Sequence, residues 1–541
     1  MSTLATLDWT VIALYFLVTF GVAILATLRE RAAKQTSTEY FLAGRNVGWF
    51  IIGGSLFASN IGSEHLVGLA GTGAASGVAV GQFEILASLI LLLLGWLFVP
   101  FYLTSGVFTM PEFLERRYSE GARWYLAVIS IIGYVLTKIS VTIAAGGIVF
   151  EALMGINFWT GALIVVVVTG VYTIVGGLRA VLYTDLMQMF VLIGGAIAVT
   201  LVGLGAIGGW DGLTSQAGPG FLSLWKPLSD PSFPWTGILF GAPILGIWYW
   251  CTDQFIVQRV LAAKSQTDAR RGTIFAGYLK LLPLFIFVLP GIVAYVLAQQ
   301  GRITLTTPDQ ALPTLVGALL PVGLRGLVVA GLLAALMSSL SSVFNSTSTL
   351  ITIDVYKKLK PNTSERRLVL VGQVSTALLV GLGLLWIPLM KLVSGQLYQY
   401  LQSVQAYISP PIAAVFLIGI LWRRVNATGA MASLITGFVL GMGRLVAELN
   451  KQSLTGALRT FADINFLHFA VLLFVVCSVV LIVASLLSPP PPAEKIAGLT
   501  FAKAPPGAVT GKASDAKGRG LDILLSALIV LGVAAIWLYF S

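Results

Sequence analysis

The sequence predicts an all-α polytopic membrane protein, and three observations support this fold class. The 541 residues are 57% hydrophobic and only 10% charged, whereas a soluble globular chain carries about 25% charged residues. The mean hydropathy is +0.91. Long apolar runs recur along the chain, such as "ILASLILLLLGWLFVPFYL" from Ile85, and they approach the roughly 20 residues that cross a bilayer as a helix.

Fourteen such runs predict 14 transmembrane helices. Their approximate limits are 8–28, 46–72, 78–104, 124–152, 159–178, 184–208, 235–261, 272–299, 318–355, 368–388, 396–422, 427–448, 463–487 and 521–540. The first run is longer than the hydrophobic region of a signal peptide and no cleavage site follows it, so we expect it to be retained as a span. The proline- and glycine-rich stretch 488–520 predicts a flexible cytoplasmic linker before the last helix.

The basic residues indicate how the chain crosses the membrane. If the N-terminus is outside, the loops that become cytoplasmic hold most of the 33 Lys and Arg residues, as the positive-inside rule requires. Both termini are then outside, and the net charge of +11 reflects topology rather than nucleic-acid binding. Cys251 and Cys477 lie within predicted spans and are too few for a disulfide framework. We therefore expect a plasma membrane, the inner membrane of a prokaryotic cell.

One span is interrupted by polar residues. The stretch "FASNIGSEHLVGLAG" holds five of them within seven positions: Ser59, Asn60, Ser63, Glu64 and His65. Unwound backbone persists in a membrane only where it lines protein or water. In transporters such breaks mark the midplane site, where carbonyls bind cations and side chains bind substrate. The alternative is a kinked but closed helix whose polar groups satisfy one another.

Charged residues also occur singly in other apolar spans. Glu84 and Lys280 predict either a buried ion pair or a site for a polyhydroxyl substrate, because a carboxylate accepts hydrogen bonds from hydroxyls and an ammonium donates them. Ionisable groups at this depth usually face a cavity or a partner. We interpret Lys138 and Asp253 as structural, each with a partner on another helix.

Several long stretches, in this order along the chain, resemble the sodium–solute symporter family, and within it the sodium–glucose cotransporter branch, as a bacterial member. They are "FASNIGSEHLVGLAGTGAASG" (57–77), "GWLFVPFY" (95–102), "TMPEFLERR" (109–117), "TKIS" (137–140), "YTDLMQ" (183–188), "WYWCTDQFIVQRVLAAK" (248–264), "GYLKLLP" (277–283), "LMSSLSSVFNSTSTL" (336–350) and "SPPIAAVFL" (409–417). The resemblance implies sodium-coupled symport of a monosaccharide of the glucose or galactose type into the cell, by alternating access.

The resemblance also implies a LeuT-type core made of two inverted five-helix repeats. On this sequence the parts are a first extra helix with a cytoplasmic loop (1–45), inverted repeat 1 (46–208), an outer loop (209–234), inverted repeat 2 (235–422), two further helices (423–487), the cytoplasmic linker (488–520) and the last helix (521–541).

Transferred position by position, the resemblance implies seven sugar contacts: Asn60, His65, Glu84, Tyr249, Trp250, Lys280 and Gln402. The polar groups would bind hydroxyls, Trp250 would offer an apolar face, and Tyr249 would cover the sugar from the cytoplasmic side. The implied primary sodium site combines three backbone carbonyls with two hydroxyls, from Ala58, Ile61, Ala335, Ser338 and Ser339. This set suits a hard cation, which takes oxygen ligands.

A second sodium site is implied at Asp185 together with Ser341 and Ser342. The residues alone leave an alternative for Asp185, which lies near the start of the run 184–208. A carboxylate there would cap a helix N-terminus, where the helix dipole favours negative charge.

Other functions remain open from the sequence. Tyr398, Gln399 and Gly246 depart from the mammalian sugar carriers, so the sugar is undetermined and a sodium/myo-inositol symporter is a close alternative. A sodium-gated sugar sensor or channel is another. A proton relay through Glu64 and His65 is less favoured, because the serine pair and the broken helix indicate sodium. With no P-loop, metal-ligand cluster or large soluble domain, we expect no enzyme activity, no nucleic-acid partner and no obligate protein partner.

Overall fold

The computed structural model describes residues 4–30, 41–62, 64–390, 397–500 and 516–541. Within these ranges the chain is helical, and its only extended pairings are the isolated bridges Val47–Ala263 and Lys226–Pro234. The helices are α1 Thr6–Glu30, α2 Trp49–Asn60, α3 Ala70–Ser76, α4 Val78–Ser105, α5 Met110–Arg117, α6 Glu120–Met154, α7 Phe158–Ala206, α8 Gly209–Gln216, α9 Gly237–Thr252, α10 Gln254–Leu261, α11 Gln266–Gln299, α12 Ala311–Leu319, α13 Leu324–Leu359, α14 Glu365–Met390, α15 Leu397–Leu421, α16 Ala427–Leu449, α17 Gly456–Asp463, α18 Phe466–Leu486 and α19 Ala516–Tyr539.

These helices make the chain a multi-pass membrane protein. Ten of the helical segments described are long and apolar enough to cross a membrane, and three shorter apolar segments lie at Thr6–Thr19, Phe158–Gly170 and Gly237–Thr252. The predicted span 46–72 is divided into α2 and α3. The count of fourteen crossings stays a prediction.

The polar stretch does interrupt its helix. α2 ends at Asn60, and Ile61 leaves the helical region with φ −76° and ψ 77°. The Gly62 amide donates to the Asn60 carbonyl at 2.8 Å, so the Ala58 carbonyl lacks the donor that a continuing helix would supply. The chain regains helical structure in a wide π-helical turn at Glu64–Leu69 that leads into α3. Ser63 and the side chain of Glu64 lie outside the described structure.

The structure has one helix where the sequence predicts two spans, at 159–178 and 184–208. α7 runs without a break over 49 residues, or about 74 Å at 1.5 Å per residue, more than twice the roughly 30 Å hydrocarbon core. The segment 179–183, "RAVLY", contains no Pro or Gly to end a helix. Asp185 is therefore in a helix interior, and the interpretation of it as an N-terminal cap is wrong.

A second interruption occurs inside α11. Its helical hydrogen bonding pauses after Leu279, and Lys280 begins a short turn that ends at Pro283. Proline has no amide hydrogen and clashes with the preceding helical turn, which accounts for the pause. The side chain of Lys280 thus leaves the helix at its weakest point, where it reaches α4.

The first helix is attached to the start of α13 by a buried carboxylate. Asp8 Oδ1 accepts the amides of Gly323 at 2.8 Å and Gly326 at 2.9 Å, and Asp8 Oδ2 accepts both Arg325 Nε at 3.0 Å and Nη2 at 2.6 Å. A Cβ at position 326 would lie 2.5 Å from the Asp8 Cα, so glycine permits the approach. α1 also packs along α7, and it therefore braces two of the helices that carry predicted sodium residues.

Both ends of α15 are held by side chains from other elements. The buried Asp309, between α11 and α12, accepts the Leu397 amide at 3.1 Å, and burial raises the pKa of Asp309 to about 7. At the other end Arg117 donates to the carbonyls of Gly419 and Val425, both at 3.0 Å. These contacts fix the helix that carries Gln402.

Part of the predicted flexible linker is packed. Lys495 Nζ donates to the Glu115 carbonyl at 2.8 Å, and Leu499 and Thr500 are buried. Residues 488–500 therefore lie against α5 rather than extending freely, because they carry both a donor and apolar side chains that α5 and its neighbours accommodate. Residues 501–515 lie outside the described structure.

Candidate substrate and ion sites

The helix break opens onto a small cavity of about 50 Å³ in the middle of the bundle. Six of the seven predicted sugar contacts line it: Asn60, His65, Glu84, Tyr249, Trp250 and Gln402. They come from α2, the wide turn after it, α4, α9 and α15. His65, Tyr249 and Trp250 all lie on π-helical turns, which widen a helix locally and are frequent at functional sites.

A three-member ionic cluster forms one wall of the cavity. Glu84 accepts from Lys280 Nζ through one oxygen and lies 3.0 Å from His65 Nε2 through the other. Lys280 is not in the cavity lining but sits behind Glu84, 5.2 Å from the centre of the Trp250 ring. The ion pair that the sequence allowed is present, and its carboxylate faces the cavity. The arrangement is compatible with either role, ion pair or substrate contact.

Tyr249 is held by two side chains across the cavity. Its hydroxyl receives Asn60 Nδ2 at 2.8 Å and Lys138 Nζ at 2.9 Å. Among the described residues, the other amide atom of Asn60, Oδ1, is buried without a hydrogen-bond partner. The Trp250 ring stands at 89° to the Tyr249 ring with centroids 5.0 Å apart. Two aromatic surfaces and one unsatisfied amide oxygen therefore meet at this end.

The residues interpreted as structural have the partners that were expected. Lys138 contacts Tyr249 and also lies 4.8 Å from the centre of the Phe255 ring. Asp253 accepts a short hydrogen bond from the Tyr134 hydroxyl, and its carboxylate caps α10 through the Phe255 amide. Lys138 does line the cavity, which the sequence did not indicate.

The cavity also contains residues that the sequence reasoning missed. Gln405 lies one helical turn after Gln402 on α15 and lines the same space. The i, i+3 spacing of the two glutamines was the available signal. At Gly246 a Cβ would lie 2.2 Å from Ile90 Cδ1, so the Ile90 side chain fills the space that a larger residue at 246 would need.

The five predicted ligands of the primary sodium site come together where α2 ends beside α13. Ala58 and Ile61 flank the broken backbone, and Ser339 Oγ donates to the Ser59 carbonyl at 3.3 Å. Ser338 is its neighbour on α13, one turn after Ala335. The predicted site would therefore combine carbonyls at the helix break with two neighbouring hydroxyls of α13.

At the predicted second sodium site, the serines that contact the carboxylate differ from those expected. Asp185 accepts hydrogen bonds from the hydroxyls of Ser55 and Ser59, each at 2.7 Å, and from Ser338. Ser342 Oγ reaches Asp185 only through Ser59 Oγ, at 3.3 Å. Ser341 Oγ donates to the Ser338 carbonyl at 2.9 Å. The three named residues are neighbours, but the hydroxyls that contact the carboxylate belong to other serines.

An arginine completes this cluster. Arg259 Nε donates to Ser59 Oγ at 2.8 Å and Ser55 Oγ at 3.1 Å, and Arg259 Nη2 lies 3.8 Å from Asp185 Oδ2. Both charged side chains are fully buried. In the sequence this arginine looks like a basic residue at a cytoplasmic helix end, so nothing there signals its contact with Asp185.

The family model for "Sodium:solute symporter family" matches residues 40–437 of the chain, which is well over half of its length. The chain belongs to the sodium:solute symporter family. The resemblance carried by the sequence motifs is thereby confirmed at the level of the family.

Curated relatives of this symporter are named sodium/glucose cotransporters. Sodium/glucose cotransporter 1 of Oryctolagus cuniculus is 40% identical, over 87% of this chain and 77% of that protein. Sodium/glucose cotransporter 4 of Mus musculus is 41% identical, over 92% and 78%. Sodium/glucose cotransporter 2 of Rattus norvegicus is 41% identical, over 87% and 77%.

Solved transporter structures share the fold of this symporter. A Na⁺-coupled sialic acid symporter, in a substrate-bound outward-open state, matches with a TM-score of 0.74 and 22% identity, over 90% of this chain and 99% of that one. Mhp1, a nucleobase-cation-symport-1 family transporter, matches with a TM-score of 0.52 and 16% identity, over 82% and 94%. The fold is therefore LeuT-like, as expected.

Proposed function

We propose that this symporter carries a monosaccharide of the glucose or galactose type into the cell together with sodium, by alternating access. The observation that carries the proposal is the central cavity, which is lined by a carboxylate, an imidazole, three amides and four aromatic rings. Hydroxyls donate to the carboxylate and exchange hydrogen bonds with amides, while aromatic faces suit the C–H surface of a pyranose. The sodium/glucose cotransporter relatives support the same substrate class.

In this proposal the sugar displaces hydrogen bonds that the cavity residues now make with one another. Glu84 accepts from sugar hydroxyls, Lys280 and His65 hold and share that carboxylate, and Asn60 and Gln402 contribute amides. Trp250 supplies an apolar face and Tyr249 covers the sugar from the cytoplasmic side. A site built on such bonds discriminates steeply, because a missing hydroxyl leaves a buried group unpaired.

Sodium binds at the helix break. The proposed ligands are the carbonyls of Ala58, Ile61 and Ala335 and the hydroxyls of Ser338 and Ser339, an all-oxygen set that suits a hard cation. Because Ala58 and Ile61 flank Asn60 in the chain, ion binding orders the same backbone that presents Asn60 to the sugar. A second sodium is proposed beside Asp185, Ser341 and Ser342.

The proposed architecture has two inverted five-helix repeats, at 46–208 and 235–422. Rocking of one helical group against the other around the fixed site gives alternating access. The positive-inside pattern places both termini outside, with the chain in a bacterial plasma membrane. The parts outside the repeats are the first helix, the two helices within 423–487, the cytoplasmic linker and the last helix.

Uptake into proteoliposomes tests the function. Labelled glucose, galactose and myo-inositol are supplied with and without an inward sodium gradient, and we expect sodium-dependent accumulation of a hexose above its external concentration. Equilibration without accumulation would indicate a sensor or channel, and accumulation of myo-inositol alone would identify the alternative symporter.

Variants of the cavity test the assigned roles. We expect Glu84→Ala, Lys280→Ala and Gln402→Ala each to reduce uptake by at least about tenfold, because each leaves buried polar groups unsatisfied in the bound state. The exposed Glu151→Ala is the matched control, and the amount of each variant in the membrane is measured. Normal uptake by Glu84→Ala and Lys280→Ala would make the two residues a structural pair only.

A further inference from the structure

Two glutamine amides in the cavity have no hydrogen-bond partner among the residues that the structure describes. Gln402 and Gln405 both line it, with 9% and 4% of their surfaces exposed. Neither side chain makes a hydrogen bond to any part of the chain that the structure describes. Gln402 is already among the proposed sugar contacts, whereas no role has been assigned to Gln405.

Glutamines that hold this fold together behave differently. Gln258 is also fully buried, and its amide donates to the Phe41 carbonyl at 2.7 Å and to Thr349 Oγ1 at 3.1 Å, while its oxygen accepts from Ser346 at 2.9 Å. Gln254 likewise accepts the Met110 amide at 2.9 Å. These two buried amides outside the cavity therefore have hydrogen-bond partners, as most buried polar groups do.

The position of Gln405 places it away from the ionic cluster. It follows Gln402 by three residues on α15, so the two side chains share one face and are separated by about 4.5 Å along the helix axis. In the proposed orientation Gln405 is closer than Gln402 to the cytoplasmic side. The wide turn that carries His65 meets α15 near Tyr398, where the two ring centres are 6.0 Å apart, and Gln405 follows Tyr398 by seven residues, about 10.5 Å along the helix axis.

We propose that Gln405 is a specificity-determining residue that hydrogen-bonds one hydroxyl of the transported sugar, at the end of the cavity remote from Glu84. This inference rests on the proposed sugar transport and adds one residue to the proposed sugar contacts. An amide both donates and accepts, so it binds a hydroxyl in either hydrogen-bonding sense. Lys138 does not take this role, since its ammonium is directed to the Tyr249 hydroxyl.

Deoxy sugars locate the contact. Inhibition of labelled-hexose uptake is measured with a set of monodeoxy analogues, each of which lacks one hydroxyl. The measurement is made on the wild-type protein and on Gln405→Leu, a substitution that keeps the side-chain size and removes the polar atoms. We expect wild-type affinity to drop about tenfold or more for the analogue that lacks the contacted hydroxyl. In Gln405→Leu that penalty disappears, while the penalties at the other positions stay unchanged.

The controls separate failure of this inference from failure of the proposed function. Ser403 is buried on the same helix and is outside the cavity lining. Inhibition of Ser403→Ala by the set of analogues should therefore equal that of the wild type. Gln405→Glu retains the shape and tests the site if the leucine variant does not reach the membrane; it should weaken binding only where the amide donates. An unchanged analogue pattern in both Gln405 variants overturns the inference. Absence of sodium-driven uptake by the wild type overturns the function itself.

Discussion

Ser338 and Ser339 are neighbours on α13, yet their hydroxyls point to different partners. Ser338 donates to the Asp185 carboxylate, and Ser339 donates to the Ser59 carbonyl at 3.3 Å. Ser338 therefore touches both proposed ion sites, whereas Ser339 belongs to the primary site alone. Successive side chains on a helix point in directions about 100° apart around its axis, which is why the two hydroxyls have different partners.

Removal of these hydroxyls should weaken sodium binding more than sugar binding. We expect Ser338→Ala and Ser339→Ala each to raise the sodium concentration for half-maximal uptake by about tenfold, since even residues behind a metal ligand change affinity by 10–100-fold. Sugar affinity at saturating sodium should change far less. Sodium titrations of uptake give both values.

A buried serine elsewhere provides the comparison. Ser433→Ala removes a hydroxyl that donates to the Cys477 carbonyl on another pair of helices, and it should leave the sodium dependence as in the wild type. If both α13 variants also keep that dependence, the two serines are not ligands.

At the scale of elements, α1 is joined to α13 by one carboxylate that accepts four hydrogen bonds from the start of α13. Asp8 is fully buried beside Arg325, and it occupies the position where a helix N-terminus exposes unsatisfied amides. A cap normally comes from the chain immediately before the helix. Here the cap comes from a different helix, so the Asp8 carboxylate caps α13 and also joins it to α1.

Loss of this carboxylate should destabilise the whole bundle. We expect Asp8→Ala to lower the free energy of unfolding by about 3–5 kcal/mol, as removal of one partner of a buried ion pair does, and Asp8→Asn to cost less because an acceptor remains. Denaturant titrations in one detergent measure both. Asp463→Ala, at an exposed pair with Arg459, should have little effect; an equally small effect of Asp8→Ala would contradict the bracing role.

The sequence could predict most helices but not all of the connections between them. The bilayer fixes the length of an apolar run, which is why boundaries such as Ala427–Leu449 lie within one residue of the predicted 427–448. The continuity of α7 was missed because Gly176, Gly177 and Arg179 resemble loop residues in the sequence, whereas the helix continues through them. The docked segment 488–500 was missed because its composition is that of a flexible linker, whereas its packing depends on distant residues.

The sequence likewise indicates some residues of the candidate site and not others. Glu84 and Lys280 are visible in the sequence because charge is rare in apolar spans. Ala58 and Ile61 were accessible only through the family resemblance, since their contribution is backbone geometry. Arg259 and Gln405 have ordinary surroundings in the sequence, and only the three-dimensional arrangement brings them to Asp185 and to the cavity.

At the scale of the whole molecule, the number of sodium ions sets how strongly sugar can be concentrated. A charge that crosses 100 mV gains about 2.3 kcal/mol, and a tenfold sodium gradient adds about 1.4 kcal/mol. One ion therefore supports a sugar gradient on the order of 500-fold, and two ions one on the order of 10⁵-fold. The proposed second sodium site lies at the Asp185 cluster, where three serine hydroxyls donate to one carboxylate.

We expect two charges to move with each sugar. Asp185 and its serines provide an anionic oxygen cluster, and Arg259 neutralises it when no ion is present. Reversal potentials measured in proteoliposomes report the charge per sugar, and Asp185→Asn should reduce it from two to one without abolishing uptake. One charge per sugar in the wild type would reject the second site.

The bond between α1 and α13 also has a consequence for the order of events during synthesis. Asp8 and Arg325 are 317 residues apart in the chain, and translation proceeds at about 5–20 residues per second. Asp8 therefore emerges roughly 15–60 s before its arginine exists. During that interval the carboxylate has to stay in water or at the membrane interface, so α1 reaches its final place only after α13 has been made.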